Sequence, residues 1–402
     1  MESNIGQGTE KIYYKDAYQS VFTARAIACE PAGEGFDVIL DATAFFPEEG
    51  GQSADTGRLF LSGSAGRDGD AAKEECIPVF DVRIRDGIIF HRVKTPVPEG
   101  TAVRGEIDWA RRFSNMQQHS AEHLFSGFVH SRFGYENVGF HLSDREVTMD
   151  YSGPLTEADV SSLEADVNAA IWRNFESRQL FPDKETLETL SFRSKKEIEG
   201  QVRLVEYPGV DLCACCAPHV RRTGEIGIMK VVSSQNYKGG TRIFMLAGER
   251  AYRLLTEEHR ILQDVSRGFS TSYPNVPGRI RELREDTISL RRALAEAAAK
   301  QLEDKIGQLP EDLENVCLFT AGVDPVVLRK AVNAITERHS GIAGIFDGNE
   351  ENGYRYILGS RISVQPLQTA LRENFGAKGG GSEKMAQGSV RAKKEDIEKL
   401  FA

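Results

Sequence analysis

The stretch Arg111-Arg-Phe-Ser-Asn-Met-Gln-Gln-His119-Ser-Ala-Glu-His123-Leu-Phe-Ser-Gly-Phe128 marks where this chain changes from strands to helix. Its apolar and imidazole positions, Met116, His119, His123, Leu124 and Phe128, fall near one face of a 3.6-residue repeat. A helix is therefore expected over 111–133. Upstream, residues 12–110 alternate apolar and polar positions and are dense in Gly and Pro. Tyr18–Cys29, Gly35–Leu40, Ile77–Val82 and Ile88–Val93 read as short strands, and strands so spaced suggest a small barrel. Ser62–Lys73 is polar and Gly-rich and reads as an exposed loop.

Downstream, Thr156–Glu176 is a second amphipathic helix with Thr156 as its cap. Val202–Val205, Ile226–Ser233 and Thr241–Leu246 read as strands of a mixed domain that ends near Gly248. A helix over Ala251–Arg267 stops at Gly268, and a long helix follows Pro274 and Pro277 to about Ile306. Ile280, Leu283, Thr287, Leu290, Leu294 and Ala297 alternate three- and four-residue spacings, the seam of a coiled coil and a possible homodimer contact. Packing of that helix on its own domain is the other reading. The tail reads strand Val316–Thr320, helix Pro325–Glu337, strands Ile342–Phe346 and Arg355–Leu358, helix Leu367–Phe375, then a loop Gly376–Gly388 and a last strand and helix. The class is α+β: a β-barrel over 1–110, an α+β domain over 111–250, a helical spacer over 251–310 and an α/β module over 311–402.

With 402 residues, 40% hydrophobic and 27% charged, the chain has ample apolar material for more than one core. Met1–Lys11 is polar with no leader pattern, and no apolar run approaches a membrane span, so a cytoplasmic location is expected. The net charge of −10 argues against nucleic acid as a partner. Local basic groups argue the other way: Arg111, Arg112, Arg221, Arg222, Lys238 and Arg242 around the middle motifs, and Lys378, Lys384, Arg391, Lys393 and Lys394 in the tail.

Three of the six cysteines crowd into Asp211-Leu-Cys-Ala-Cys-Cys-Ala-Pro-His219, a pattern of metal or thiol chemistry rather than of disulfides. Cys215 and His219 are four apart, with Pro218 forcing a turn between them. His119 and His123, also four apart, stand one above the other on a helix and can reach one ion. Three imidazoles and one thiolate suit a single zinc ion, with Cys213 and Cys216 open as substitutes for Cys215. Four protein ligands is the structural pattern, so the ion either loses a ligand, expands its coordination, or only positions substrate. Buried free cysteines and hydrogen-bonded histidines are the ordinary alternative. His119-Ser-Ala-Glu-His123 also fits an inverzincin metallopeptidase with Glu122 as base, but the downstream partner here is a Cys/His pair rather than a carboxylate.

Phe46-Pro-Glu-Glu-Gly50-Gly51-Gln52-Ser-Ala-Asp-Thr-Gly57 is a turn-rich loop, in which two glycines free the backbone and Gln52 carries a donor–acceptor amide. This loop, the 119–123 motif and the 215–219 motif, in this order, resemble the editing domain of alanyl-tRNA synthetases and the free-standing alanyl-tRNA editing proteins. Gly379-Gly-Gly-Ser-Glu-Lys-Met-Ala-Gln-Gly388 resembles the DHHA1 module of the long forms. The central domain departs from the family's usual Cys-Gly-Gly-Thr-His by reading Cys215-Cys-Ala-Pro-His219. The resemblance implies a zinc-dependent hydrolase that removes Ser or Gly from tRNA specific for alanine. In that reading His119, His123, Cys215 and His219 hold zinc. Gln52 holds water or the tRNA terminus, and Glu122 acts as base or orients a ligand. Gly50, Gly51, Arg242, Lys378 and Lys384 meet the tRNA. A non-catalytic tRNA-binding protein with structural zinc is the main alternative.

Overall fold

The computed structural model describes residues 8–61, 75–194 and 202–402. The loop expected over 62–73 lies outside them. The chain divides into two compact units, Met1–Ile261 and Leu262–Ala402, so the barrel and the α+β segment share one unit, and the boundary falls inside the first helix of the expected spacer.

The first unit opens with a closed six-stranded antiparallel barrel. Its strands are β1 (Val21–Ala32), β2 (Gly35–Leu40), β3 (Gly57–Leu61), β4 (Glu75–Arg85), β5 (Ile88–Val93) and β6 (Ala102–Ile107). They close in the order β1-β2-β5-β4-β3-β6. The period-two pattern sets which side chains fill it: Phe22, Val38, Leu40, Leu59, Ile77, Val79, Val82, Ile89, Val93 and Val103 form one buried cluster. Each such side chain contributes roughly 1.5–3 kcal/mol on leaving water. β3 and β6 were not read from the sequence: β6 alternates, but Gly105 interrupts its inward apolar row between Val103 and Ile107, and β3 is only five residues long with Phe60 on its outer side.

Helix α1 (Trp109–Phe133) leaves the barrel directly. The Asp108 carboxylate caps it by accepting from the Arg111 backbone N–H at 3.2 Å. Gly134 ends it in the left-handed conformation. Arg112, one of the basic groups suggested above for a phosphate track, is instead fully buried in an ion pair with Asp55 of the barrel. It also donates to the carbonyl of Ala17 at 3.0 Å. That guanidinium ties the first turn of α1 to the barrel and has no surface to offer a ligand.

Around α1 stand β7 (Asn137–Leu142), β8 (Val147–Tyr151), β12 (Met229–Tyr237) and β13 (Gly240–Ala247), in the order β12-β13-β8-β7. Helix α2 (Glu157–Arg173) begins at a full capping box between Thr156 and Asp159. A second sheet holds β9 (Arg178–Leu180), β10 (Leu204–Tyr207) and β11 (Asp211–Ala214). The expected strand at Ile226 starts three residues later, because Thr223–Ile226 forms a 3-10 turn first. Helix α3 (Gly248–Gly268) follows β13 without a break.

In the second unit, helix α4 (Val276–Gly307) packs its last turns, through Ala298, Leu302 and Ile306, on a sheet and helix of the α/β module. The module's five strands are β14 (Val316–Thr320), β15 (Ile342–Asn349), β16 (Gly353–Ser360), β17 (Lys378–Gly381) and β18 (Met385–Val390). They lie in the order β14-β15-β16-β18-β17. Helices α5 (Pro325–Arg338) and α6 (Gln365–Phe375) and a short terminal helix α7 (Lys394–Glu398), with Ile397 in the core, complete it. The expected loop Gly376–Gly388 is a hairpin, with Gly379 opposite Gly388 and Lys378 opposite Ser389. A strand built as Lys-Gly-Gly-Gly has no side-chain alternation to betray it. No described helix is long and apolar enough to cross a membrane.

Candidate metal centre

The two motifs nearly a hundred residues apart meet. Donor atoms of His119, His123, Cys215 and His219 lie within 4.8 Å of one another. The three imidazoles are each no more than 3% exposed. The helical pair comes from α1. Cys215 and His219 come from the turn that follows β11, which Arg203 clamps by donating to the carbonyls of Cys215 at 2.7 Å and Ala217 at 2.9 Å.

Each ring is held by its Nδ1. The His119 Nδ1 lies 2.7 Å from the Gln52 Oε1. The His123 Nδ1 lies 3.0 Å from the Asp211 Oδ2. The His219 Nδ1 lies 3.2 Å from the Ser120 Oγ and 3.3 Å from the Tyr207 hydroxyl. The Nε2 atoms of His119 and His219 face the Cys215 sulfur at 3.6 and 3.3 Å. Rings oriented at one nitrogen and presenting the other inward are what metal-binding histidines require. The donor set fits zinc: one sulfur and three nitrogens, buried, with each ring already fixed.

The cysteines divide by position and charge. Burial raises the Cys215 thiol, but the imidazoles of His119 and His219 outweigh it and hold the thiol well below its ordinary value. Cys213 groups with His123 and Asp211 and is absent from the set of four. Burial pushes the thiols of both Cys213 and Cys216 up. Burial likewise drives His219 down to about 3.

Gln52 reaches the centre because of its loop. Gly50 and Gly51 both take positive φ, 62° and 83°. At Gly51 a Cβ would stand 2.3 Å from the Phe140 carbonyl oxygen. This reversal pairs Glu49 with Gln52, while the Leu142 N–H donates to the Gly51 carbonyl at 2.7 Å. The loop is thereby pressed onto β7 with Gln52 fully buried. The Gln52 Nε2 has no partner among the described residues.

Glu122 is 1% exposed, not a solvated helix carboxylate. Its Oε1 accepts from the Ser126 hydroxyl at 2.7 Å and the Asn137 amide at 2.6 Å. Its Oε2 lies 3.9 Å from the His123 Nε2. Arg242 sits on β13 opposite Asp150, with bonds of 2.6 and 2.7 Å, and lies over Tyr237 at 3.8 Å. Lys378 and Lys384 are exposed in the second unit. Asp211, Arg193, Ser120 and Tyr207 were not singled out from sequence. None has a local pattern; Asp211, Ser120 and Tyr207 meet their rings through the fold, and Arg193 meets Asp211.

A family model described as the threonyl and alanyl tRNA synthetase second additional domain matches residues 202–244, which include Cys215 and His219. The alanyl-tRNA editing protein AlaX-L of Pyrococcus horikoshii is 25% identical, and the match covers 96% of each chain. This chain is a relative of the alanyl-tRNA editing proteins. The alanine–tRNA ligases of Ignicoccus hospitalis and Methanopyrus kandleri are each 26% identical to it. Those matches cover 98% and 95% of this chain but only 42% and 43% of the longer ligases. Among solved structures, RecJ in complex with Mg2+ from Thermus thermophilus aligns with a TM-score of 0.22 and 16% identity, over 32% of this chain and 20% of that one. The similarity to the editing protein thus spans both units, whereas the matched family model ends within β13.

Proposed function

We propose that the chain is a zinc-dependent hydrolase that removes serine, and also glycine, from mischarged tRNA for alanine. The observation that carries this reading is the buried cluster of His119, His123, Cys215 and His219, each imidazole held by its Nδ1. The near full-length similarity to an alanyl-tRNA editing protein supplies the substrate class. One zinc ion per chain would be held by these four residues and, when bound, would supply a positive centre to polarise water or the ester carbonyl.

The chain's own groups do the rest. Gln52 and Asp211 fix His119 and His123, and Ser120 and Tyr207 fix His219. Glu122, held at its Oε1 by Ser126 and Asn137, turns its Oε2 toward the centre. There it is placed to take the proton from water as the oxygen adds to the ester carbonyl, and to return it to the ribose oxygen as the C–O bond breaks. The Gln52 Nε2 is the amide donor for water or the tRNA terminus, and Gly50 and Gly51 let the loop lie close to that terminus. Lys378 and Lys384 are the exposed cations for tRNA phosphate. Arg242 is the weaker contact, since Asp150 balances its charge. A homodimer through the exposed 280–297 face of α4 is part of the same proposal.

The test is incubation of the full chain with seryl-, glycyl- and alanyl-tRNA for alanine, following ester loss for each. Rapid loss of seryl and glycyl esters with alanyl ester spared is expected. Tight tRNA binding with no ester loss would point instead to a non-catalytic tRNA-binding protein with structural zinc.

A further inference from the structure

A buried Arg–Asp–His chain runs from the protein interior to the metal centre. The guanidinium of Arg193 grips both oxygens of Asp211, Nε to Oδ1 at 2.7 Å and Nη2 to Oδ2 at 2.8 Å. The Oδ2 also meets the His123 Nδ1 at 3.0 Å. The side chains of Arg193 and Asp211 are 7% and 1% exposed. The backbone holds both residues in place. Residue 193 bridges to β11, its N–H donating to the Leu212 carbonyl at 2.8 Å and its carbonyl accepting from the Ala214 N–H at 2.9 Å. Gly127 of α1 lets the turn before β11 come close, since a Cβ there would stand 2.5 Å from the Val210 carbonyl oxygen. That closeness is what brings Asp211 within reach of His123.

Stability alone does not account for the pair. Removing two charges from water costs several kcal/mol per ion, and apolar residues of similar volume often serve as well or better. What an apolar pair could not do is set the proton on a ring. A carboxylate held by two N–H donors accepts only, so the proton of a neutral His123 stays on Nδ1 and the Nε2 lone pair faces the centre.

We infer that Arg193 and Asp211 are a positioning pair that fixes the tautomer and rotamer of His123 and so governs how tightly and in what geometry the centre holds its ion. Arg193 does this at one remove, by pinning the carboxylate in the plane that His123 needs. The inference rests on the zinc reading above, and it concerns metal binding rather than ester hydrolysis.

Asp211→Asn in the full chain tests it, because the side chain keeps its shape while losing one acceptor. Either its amide faces His123 and drives the ring proton onto Nε2, or its oxygen does and one bond to Arg193 is lost. Zinc affinity by chelator competition is expected to fall about 10–100-fold, the usual effect of removing such a partner. The visible absorption of the cobalt-substituted protein is expected to change in position and intensity, which a merely structural role would not cause. Arg193→Gln, read the same way, is expected to show a smaller loss, and it carries the test if Asp211→Asn does not fold. Wild-type zinc affinity together with an unchanged cobalt spectrum in a folded variant would overturn the inference. A wild-type chain that binds neither zinc nor cobalt would contradict the zinc reading itself, a result distinct from a variant that binds as the wild type does.

Discussion

Gln52 and Asp211 hold two neighbouring imidazoles from opposite sides of the chain, one through the barrel loop and one through β11. Removing the Gln52 amide strands a buried ring N–H, at a cost of about 1–3 kcal/mol. Gln52→Ala is therefore expected to weaken zinc binding as well as slow deacylation, and chelator competition checks it. Unchanged zinc affinity would leave Gln52 with a role toward substrate only. Gly51→Ala is expected to be worse for folding. Its positive φ and the Phe140 carbonyl at 2.3 Å from the added Cβ leave no place for a methyl group. A loss of about 1–3 kcal/mol follows from such strain, visible as a lower melting temperature. Gly50→Ala, with only the Cys216 sulfur at 3.3 Å, is the milder control. At this scale the sequence pointed to the four residues that the fold brings together, because i,i+4 spacing on a helix and Cys-x3-His are local patterns. It marked Gln52 and Glu122 too, but not that both are buried. Asp211, Arg193, Ser120 and Tyr207 stayed hidden, since a tertiary contact such as Ser120 to His219 leaves no trace in spacing.

Among the elements, β5 carries a histidine whose chemistry is independent of the metal centre. His91 is fully buried in the barrel, 2.8 Å from the Thr43 hydroxyl and 2.9 Å from the Val38 carbonyl. Burial lowers it from 6.5 to about 4. The unfolded chain therefore binds this proton more readily than the folded one. The stabilisation is complete above pH 6.5 and is lost as the pH falls toward 4. At about 1.4 kcal/mol per pKa unit, the loss amounts to roughly 3 kcal/mol by pH 4. Denaturant unfolding between pH 7 and 4 checks this: His91→Gln should show a shallower fall than the wild type. Helix α4 poses a different question. Ile280, Leu283, Leu290 and Leu294 are 49%, 54%, 70% and 68% exposed, whereas Leu302 is buried. The residues read from the sequence as a seam are thus mostly exposed, and among the described residues the helix is buried at Val276 and Leu302, on either side of that stretch. Leu283→Lys with Leu290→Lys is expected to make the full chain monomeric by light scattering while leaving its zinc content unchanged. A double variant of unchanged mass would exclude the seam as a dimer contact. Strong periodic elements such as α1, α2 and α4 were legible within a few residues. Short strands interrupted by glycine, such as β3, β6 and β17, were not, because too few apolar positions remain for a pattern to stand out and their pairing is fixed by neighbours.

The whole molecule separates chemistry from the basic tail. Every residue proposed to act on the ester lies before Ile261, and the exposed Lys378 and Lys384 lie after it. A cut should respect α3 rather than fall at its first residue. Arg250 donates to the Ser143 carbonyl and the Asn115 side chain at 2.6 and 2.8 Å, and Ala251 is fully buried. A fragment ending at Ile261 is expected to keep zinc and hydrolyse the ester, and to bind tRNA more weakly with a shallower salt dependence, since fewer counterions are released. Filter binding over a range of salt checks this. The central claim, that the buried three-histidine, one-cysteine centre hydrolyses mischarged tRNA for alanine, is tested most directly by metal removal and return. Seryl-tRNA for alanine should lose its ester rapidly with the zinc-loaded chain, slowly after chelation under conditions where the protein stays folded, and rapidly again once one equivalent of zinc is restored. Full activity in the folded, metal-free chain would contradict the account, as would an inert zinc-loaded one.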